Sequence, residues 1–572
     1  MTSLPIQRQG RHAIIEQFLA DGIDVMFGNP GTVEQGFLNA LESYPAMRYV
    51  LTLQETVAVF AGDGYARATR KPALVQIHSS PGLGNALGAI YQANRGHSPL
   101  VVIGGDAGIK YMPMQAQMYA DLVAMAAPVT KMSTMVQHPS SLLRVLRRAI
   151  KVAMTPPMGP VYVCLPADIL DLPAEEPVYP TLRVRTDTLA STDIIEAAAN
   201  ALMESKHPRI FIGDGIHYSS GAGAAVTRLA ELIGADIYGV DAGESNVPLL
   251  HPLYRGQTGH MFGYASKAIT SAPDALLIAG TYMVPEVFPD LGDIYGPGAK
   301  VVHVDLDPGA IAKNHRVDIG VVADPARTLG AIADKIEATR SSERATLFSD
   351  RRAQLATAIA ANLDTERANF EKDAAKPEAT MAALAKELFA HAQRPILVDE
   401  GLTNSPPLVR YFADAGGETL IQTRGGSLGM GLASAIGVQT AHPDRTVISV
   451  SGDGGAMYTI QSLWSAARHK LPIKYIVCSN GVYHLLELNI GEYWKTLGVE
   501  AGTPPLSFDL GSPVLHFEQM ANALSVPSAI ITSASEIPAV VARALAEPGP
   551  FLIDLRLDRR PHSNVIELKC GQ

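Results

Sequence analysis

One segment near the carboxyl end of the chain constrains the fold most strongly. It consists of an apolar strand ending at Gly452, the turn Asp453-Gly454-Gly455, a predicted helix over 457–470, and a second apolar strand ending at Asn480. Both strands of a parallel β–α–β unit end at the same sheet edge, so the Asp453 carboxylate and the Asn480 amide can converge on one cation. The segment therefore predicts a site for a metal ion and a diphosphate.

The chemistry of this turn supports that interpretation. Carboxylate and amide oxygens suit Mg²⁺, with Ca²⁺ as a substitute. Glycine lets the backbone approach a phosphate closely, and a helix N-terminus adds partial positive charge. The Gly-Asp-Gly triplet also occurs at 62–64 and 213–215, but neither copy has an amide at the end of a following apolar strand. We interpret those two copies as turns.

Short apolar runs alternate with helical segments along the whole chain. Their near-continuous apolar character is typical of parallel strands covered on both faces. We predict three doubly wound α/β domains over 1–180, 190–340 and 377–560, a Pro- and charge-rich linker over 171–187, a helical connection over 341–376, and a tail over 561–572. The predicted strands are 25–27, 49–53, 73–77, 100–103, 161–165, 209–212, 275–278, 301–304, 395–398, 446–450, 474–477 and 551–554.

The composition of the chain argues against some classes of binding partner and indicates a cellular compartment. The 572 residues are 47% hydrophobic and 18% charged, enough to bury several cores, and the formal charge is −10. This balance argues against nucleic acid or an anionic membrane surface as the main partner. Three scattered cysteines fit a reducing compartment. Because no signal-like or membrane-spanning run is visible, we expect a cytoplasmic protein.

Four motifs in the first third of the chain carry a family resemblance. They are Phe-Gly-Asn-Pro-Gly-Thr at 27–32, Leu-Gln-Glu-Thr at 53–56, Gly-Asp-Gly-Tyr-Ala-Arg at 62–67 and His-Ser-Ser-Pro-Gly-Leu-Gly-Asn at 78–85. With the turn at Asp453, they resemble the thiamine diphosphate enzymes of the benzoylformate decarboxylase, acetolactate synthase and pyruvate oxidase type. The resemblance covers nearly the whole chain, although Ser479 stands where many members carry a second asparagine.

The resemblance implies thiamine diphosphate and Mg²⁺ as cofactors. It makes Glu55 the carboxyl group that activates the cofactor, Leu428 the apolar wedge that bends it, and Thr403 a diphosphate ligand. The implied metal ligands are the side chains of Asp453 and Asn480 and the carbonyl of Val482. The full cofactor set is Glu55, Thr403, Gly426, Leu428, Gly452, Asp453, Gly454, Gly455, Asn480, Val482 and Tyr483. Since family members share each site between subunits, we expect at least a homodimer, and a homotetramer as the full assembly.

Other matched positions concern the substrate. His78 matches an active-site histidine of benzoylformate decarboxylase, and Thr32 matches its carboxylate-binding serine. Gln117 matches the catalytic glutamine of benzaldehyde lyase and acetolactate synthase, the alternative being an amide on a helix face. The second histidine of the decarboxylase has no counterpart in 281–288. The expected substrate pocket comprises Asn29, His484, Leu485, Leu486, Glu487 and Glu492, although Glu487 or Glu492 could instead lie on a solvated helix face.

These positions lead us to expect a nonoxidative carbon–carbon lyase that decarboxylates a 2-oxo acid, with carboligase side activity. One alternative is a 2-hydroxyacyl-CoA lyase, suggested by Arg559, Arg560 and Lys569 in the tail. Another is an acetolactate-synthase-like transferase. FAD as an additional cofactor and a noncatalytic regulatory subunit also stay open.

Overall fold

The computed structural model describes residues 8–558 and contains three six-stranded sheets. The strands pair in parallel, and helices cover the sheets. Each central strand is buried along its whole length, which explains the near-continuous apolar runs of the sequence. The predicted architecture of three doubly wound α/β sheets is confirmed.

The first sheet has the strand order β2-β1-β3-β4-β6-β5. Its strands and helices alternate in the chain, as doubly wound sheets require. The strands are β1 Val25–Gly28, β2 Arg48–Leu51, β3 Ala73–Ile77, β4 Leu100–Asp106, β5 Met132–Met135 and β6 Val161–Pro166; the helices are α1 Gly10–Ala20, α2 Gln35–Leu41, α3 Glu55–Thr69, α4 Ser79–Arg95, α5 Leu122–Ala126, α6 Leu142–Met154 and α7 Ala167–Leu170.

The second sheet has the order β12-β11-β10-β7-β8-β9, so its strand order reverses between β7 and β10. The predicted helix over 341–376 is α12. The strands are β7 Pro208–Ile212, β8 Asp236–Gly239, β9 Tyr254–Gln257, β10 Ala275–Ala279, β11 Lys300–Asp305 and β12 Ile319–Val322; the helices are α8 Thr192–Glu204, α9 Ala222–Ile233, α10 Gly263–Thr270, α11 Pro325–Thr339 and α12 Ser342–Ala374.

The third sheet, in the order β14-β13-β15-β16-β18-β17, repeats the topology of the first. The strands are β13 Ile396–Glu400, β14 Thr419–Gln422, β15 Val447–Gly452, β16 Lys474–Ser479, β17 Ser528–Ile531 and β18 Phe551–Arg556; the helices are α13 Met381–His391, α14 Ser405–Asp414, α15 Met430–Ala441, α16 Asp453–Ala456, α17 Ser462–Arg468, α18 His484–Leu497, α19 Phe517–Ala523 and α20 Ile537–Ala546.

The described chain divides into two compact units. One contains residues 8–184, 374–412 and 421–558, and thus the first and third sheets; the other contains 185–373 and 413–420. Within the first unit, α3 packs against α15 at two glycines. A Cβ on Gly64 would overlap the Ser434 carbonyl oxygen, and one on Gly437 would overlap the Ala61 carbonyl oxygen. Glycine at both positions lets the two backbones touch.

This packing corrects one prediction. The Gly-Asp-Gly copy at 62–64 is not a turn but lies inside α3, where Gly62 faces Val75 and Gly64 faces α15. The copy at 213–215 does lie in the connection after β7, which continues as a short 3₁₀ helix from Asp214 to Tyr218.

One further local prediction was wrong. The helix expected over 457–470 begins earlier, at Asp453, and is interrupted before α17, where the Thr459 hydroxyl donates to the Gly429 carbonyl oxygen at 2.6 Å. The Ser-Pro-Gly sequence after His78 lies in the first turn of α4. Proline is tolerated there because the first helical N–H groups have no partner within the helix. Across residues 8–558, no helix combines the length and apolar character needed to span a bilayer.

Candidate functional site

Five of the predicted site residues lie at the carboxyl edge of the first sheet. Asn29 and Thr32 follow β1, Glu55 follows β2, His78 follows β3, and Gln117 follows β4. These four strands are adjacent in the order β2-β1-β3-β4. The carboxyl edge of a doubly wound sheet is where such folds bind ligands.

Glu55 is the first residue of α3 and is only 4% exposed. Its Oε1 accepts from Asn29 Nδ2 and its Oε2 from Asn85 Nδ2, each at 3.0 Å. A Cβ on Gly82 would lie 2.9 Å from Glu55 Oε1, so glycine leaves room for the carboxyl group. Two amides therefore hold a buried carboxyl group in one orientation. Asn29, expected in the substrate pocket, is one of these two partners of Glu55.

His78 lies between β3 and α4 and pairs with a carboxyl group that sequence reasoning missed. Its Nδ1 is 2.9 Å from Glu34 Oε2, and the side chains are 17% and 5% exposed. Glu34 stands two positions after Thr32, just beyond the quoted motif, which was the available signal. Burial raises the pKa of Glu34, and the charge of His78 opposes that shift.

Gly82 connects the Glu55 and His78 environments. Its N–H donates to the His78 carbonyl oxygen at 2.7 Å, while its α-carbon faces Glu55 Oε1. The first turn of α4 thus contacts both the Glu55 carboxyl group and the His78 backbone at the same sheet edge.

Gln117 and Thr32 are both exposed at this edge. Gln117 lies beyond a 3₁₀ helix that ends at Met114, so the alternative of an amide on a helix face is wrong. Gln117 instead lines a small cavity of about 20 Å³ together with Val33, Ser79 and Asp106. Its amide is therefore exposed at the sheet edge that also carries Glu55 and His78.

The remaining cofactor candidates lie at the carboxyl edge of the third sheet. Thr403 follows β13, Gly426 and Leu428 follow β14, Asp453 follows β15, and Asn480 follows β16. These strands are adjacent in the order β14-β13-β15-β16. The structure thus brings both predicted metal-binding side chains and the diphosphate candidates to one edge.

Asp453 and Asn480 are both bonded to the loop after β16. Asp453 is 5% exposed, and its Oδ2 accepts from Gly481 N at 2.7 Å while its Oδ1 accepts from Gly454 N at 2.8 Å. Asn480 Oδ1 accepts from Val482 N at 3.1 Å. Burial raises the pKa of Asp453, and these backbone donors oppose the shift.

The glycines at this edge fit a diphosphate. A Cβ on Gly452 or Gly426 would meet no atom within 4 Å, so both backbones border open space. Gly426 has a φ of +75°, a conformation that side chains disfavour. By contrast, close packing explains glycine at 454 and 455. A Cβ on Gly454 would overlap the Tyr483 ring, and a Cβ on Gly455 would lie 2.8 Å from Ser451 Oγ.

The oxygen ligands available at this edge also fit one cation. In the described part of the chain, no cluster of three or more His, Cys, Asp or Glu side chains could hold a metal ion. A cation at Asp453 would therefore depend on one carboxylate, the Asn480 amide, the Val482 carbonyl, and oxygens of a bound diphosphate and water.

Glu400, at the end of β13, is a second carboxyl group that sequence reasoning missed. It is 1% exposed and accepts from Gly429 N at 2.7 Å, Gly431 N at 3.0 Å and Ser451 Oγ at 3.0 Å. Burial raises its pKa to about 7. Glu400 therefore fastens the start of α15, just after Leu428, to the strand that leads to Asp453.

Helix α18 carries the other expected pocket residues. His484 is 7% exposed, and its Nδ1 lies 3.4 Å from Glu487 Oε2. Leu485 is half-buried and Leu486 is 41% exposed. Glu492 pairs with Lys495 at 2.5 Å along the outer part of the helix. Tyr483, which precedes the helix, contacts Gly454.

Within one chain, the two sheet edges face different directions. Leu51, at the carboxyl end of β2 and four residues before Glu55, donates from its N–H to His469 Nε2 at 2.9 Å. His469 precedes the amino end of β16, whereas Asp453 and Asn480 lie at the carboxyl ends of β15 and β16. The length of β16, roughly 20 Å, separates those ends.

Backbone packs closely where the strand order of the second sheet reverses. A Cβ on Gly213, after β7, would lie 2.6 Å from the Thr281 Cβ, and one on Gly215 would lie 2.6 Å from the Gly280 carbonyl oxygen. The buried Asp214 carboxylate accepts from Gly243 N at 2.8 Å. Glycine at both positions thus lets the connections after β7 and β10 pack against each other.

Comparison with known proteins gives concordant matches. Three models of thiamine pyrophosphate enzymes match: the N-terminal TPP binding domain at residues 8–125, the central domain at 195–332 and the C-terminal TPP binding domain at 408–555. A probable acetolactate synthase large subunit of Methanocaldococcus jannaschii is 28% identical, covering 96% of this chain and 92% of the relative. Benzoylformate decarboxylase of Pseudomonas aeruginosa is 29% identical, covering 93% and 96%.

A solved structure agrees with these sequences. The thiamine diphosphate-dependent 4-hydroxybenzoylformate decarboxylase of Rhodococcus jostii RHA1 superposes with a TM-score of 0.80 at 26% identity, covering 96% of this chain and 99% of that one.

Proposed function

The chain belongs to the thiamine diphosphate-dependent enzymes of the decarboxylase and acetolactate synthase type, and we propose that it is a Mg²⁺-dependent carbon–carbon lyase that decarboxylates 2-oxo acids. Bound thiamine diphosphate supplies a nucleophilic carbon and an electron sink. The products are carbon dioxide and an aldehyde, with carboligation as a side activity.

The observation that carries this proposal is the imidazole of His78, supported by Glu34, at the same sheet edge as the Glu55 carboxyl group. Loss of carbon dioxide leaves the acyl carbon in need of one proton before an aldehyde can leave. A histidine changes its charge near neutral pH and can deliver that proton. The Thr32 hydroxyl, at the same edge, is available to the substrate carboxylate.

The chain's own residues also account for cofactor binding. Glu55 would engage the ring nitrogen of the aminopyrimidine, because its two asparagine partners leave the buried carboxyl group in one orientation. Asp453, Asn480 and the Val482 carbonyl would hold Mg²⁺, with the Gly452 backbone and Thr403 at the diphosphate. Leu428 would support the bent cofactor, and Leu485 and Leu486 favour an apolar acyl group.

We further propose that the active unit is a homodimer, with a homotetramer as the full assembly. The orientation of the two sheet edges supports this, because Leu51 packs at the amino side of the third sheet while Asp453 lies at its carboxyl side. A second copy can supply the Asp453 edge to the Glu55 edge of the first.

An acetolactate-synthase-like transferase is the second candidate. Gln117 favours it, because its amide is exposed at the sheet edge that carries Glu55 and His78, where it is available to a second substrate carbonyl. The 2-hydroxyacyl-CoA lyase hypothesis depends on Arg559, Arg560 and Lys569, which lie outside the described residues. No contact of the described chain favours that reaction over the other two.

The discriminating experiment is a product analysis. Enzyme loaded with thiamine diphosphate and Mg²⁺ is incubated separately with benzoylformate, pyruvate, a branched aliphatic 2-oxo acid and a 2-hydroxyacyl-CoA thioester. Aldehyde is measured by coupled NADH oxidation, and acetohydroxy acids by mass spectrometry. The proposal predicts aldehyde from at least one 2-oxo acid as the main product.

Two results would contradict it. Acetohydroxy acid as the main product from pyruvate would establish the transferase and direct attention to Gln117. Turnover of the thioester alone would establish the CoA lyase. The matched control is Glu55→Gln, which lacks the activating carboxyl group and should suppress all three reactions.

A further inference from the structure

We infer that Glu34 is a positioning residue for His78, which it holds in the tautomer that exchanges a proton with the substrate through Nε2. This inference rests on the proposed function, since it assigns the group behind the imidazole that protonates the product. When Nδ1–H donates to the Glu34 carboxylate, the other ring nitrogen is left for the reaction.

Both oxygens of the Glu34 carboxylate make a defined contact. Glu34 Oε2 is 2.9 Å from His78 Nδ1, and Glu34 Oε1 accepts from Gly105 N at 3.1 Å. Each carboxylate oxygen thus has one defined partner. Because Glu34 is 5% exposed, solvent does not compete effectively for the imidazole.

Two glycines make room for this pair. A Cβ on Gly31 would overlap the Nδ1 atom of His78, and a Cβ on Gly105 would overlap the Oε1 atom of Glu34. Neither glycine has a positive φ, so backbone conformation does not explain glycine at these positions. Close approach of the two side chains explains it.

The remaining titratable groups around Glu34 do not compete for His78. Burial raises the pKa values of Tyr49, Tyr162 and Cys164, so these groups stay uncharged near neutral pH. Tyr49 donates its hydroxyl to a glutamine side chain at 2.7 Å. Asp106 accepts from Gly108 N at 3.0 Å. Glu34 is therefore the carboxylate that acts directly on the imidazole.

The proton balance of the step is simple. A 2-oxo acid carboxylate loses carbon dioxide, and the acyl carbon takes up one proton to become an aldehyde. That proton leaves His78 Nε2, and solvent later returns one proton to the same nitrogen. The Glu34 carboxylate keeps its charge and stabilises the imidazolium before transfer, as the carboxylate of a catalytic triad does.

The test has a kinetic arm. In Glu34→Gln, we expect kcat to fall by about 10–100-fold, the range seen for groups that orient metal-ligating histidines, with KM little changed. In the His78→Ala background, Glu34→Gln should cause no further loss, because the group that it positions is gone. Glu42→Gln, which removes an exposed carboxylate of the same domain, is the matched control.

A second arm needs no turnover. Carbethoxylation of His78 by diethyl pyrocarbonate is followed by peptide mass spectrometry across pH 5–9 in cofactor-loaded enzyme without substrate. Loss of the carboxylate favours the neutral imidazole, so the half-maximal pH should move down by about one unit in Glu34→Gln. If that variant does not fold, Glu34→Asp should show a smaller shift in the same direction.

The outcomes separate the two proposals. Wild-type enzyme without any 2-oxo acid turnover would overturn the proposed function, while the modification arm would still decide the role of Glu34. An unchanged half-maximal pH, or an equal loss of kcat in the presence and absence of His78, would overturn the positioning role.

Discussion

At the scale of single residues, Glu55 is the residue proposed to activate the cofactor. Replacing it with glutamine keeps the volume but removes the proposed activating carboxyl group. We predict a fall in kcat of about 10²–10⁴-fold, the usual contribution of a positioned acid or base. Melting temperature should change little, because Asn29 and Asn85 can rotate their amides to face the new side chain. Steady-state kinetics with circular dichroism checks both statements, and a variant with more than half the wild-type kcat would refute the role.

Glu400 gives a prediction about stability and pH. Its ordinary pKa of 4.5 is raised to about 7 by burial. Between these values the folded state retains a proton that the unfolded state has lost, so the free energy of unfolding falls as pH rises. The contribution is on the order of 3 kcal/mol and is fully lost above about pH 7.

Urea unfolding of the cofactor-free protein at pH 5 and pH 8 measures this contribution. Glu400→Gln should lack this component of the pH dependence, whatever its absolute stability, because the amide does not titrate. An identical pH dependence in variant and wild type would show that Glu400 is already ionised at pH 5.

A candidate site residue could be predicted from the sequence where it follows a strand and belongs to a motif. Glu55, His78, Asp453 and Asn480 all lie at the expected sheet edges. Glu34, Asn85 and Glu400 were not predicted, because their importance comes from partners distant in the chain. The Glu34 carboxylate, for example, contacts Gly105, 71 positions away.

At the scale of elements, the contact between α3 and α15 depends on glycine. A Cβ on Gly437 would overlap the Ala61 carbonyl oxygen, so Gly437→Ala should force the helices apart. We predict a loss of roughly 1–3 kcal/mol, typical of overpacking. The control is Gly330→Ala in α11, where a Cβ meets no atom within 4 Å; higher helix propensity should make it neutral or slightly stabilising. Equal melting temperatures for the two variants would contradict the packing argument.

Burial and packing explain which elements could be predicted from the sequence and which could not. Central strands such as β3 and β16 were predicted because they are buried on both faces and continuously apolar. Six strands were missed, β5, β8, β9, β12, β14 and β17. All of them except β8 lie at a sheet edge and are only partly buried, so they lack the continuous apolar run of a central strand. The triplet at 62–64 was misinterpreted because its glycines serve helix packing rather than a turn.

At the scale of the whole molecule, the proposed homodimer takes Glu55 and Asp453 of one active site from different copies. Mixing Glu55→Gln with Asp453→Asn, each nearly inactive alone, should therefore restore activity after subunit exchange. Random pairing gives one intact site in half of the dimers, or roughly a quarter of wild-type activity. No recovery, despite exchange demonstrated by native mass spectrometry, would place both residues in a site of one chain.

The most direct test of the proposed decarboxylation is the release of labelled carbon dioxide from a 1-¹³C-labelled 2-oxo acid by dialysed enzyme. The panel of 2-oxo acids is measured without additions, with thiamine diphosphate or Mg²⁺ alone, and with both. We predict release that requires both cofactors, disappears in Glu55→Gln and is strongly weakened in Asp453→Asn. Release that is independent of either cofactor, or none from any 2-oxo acid with both present, would contradict the account.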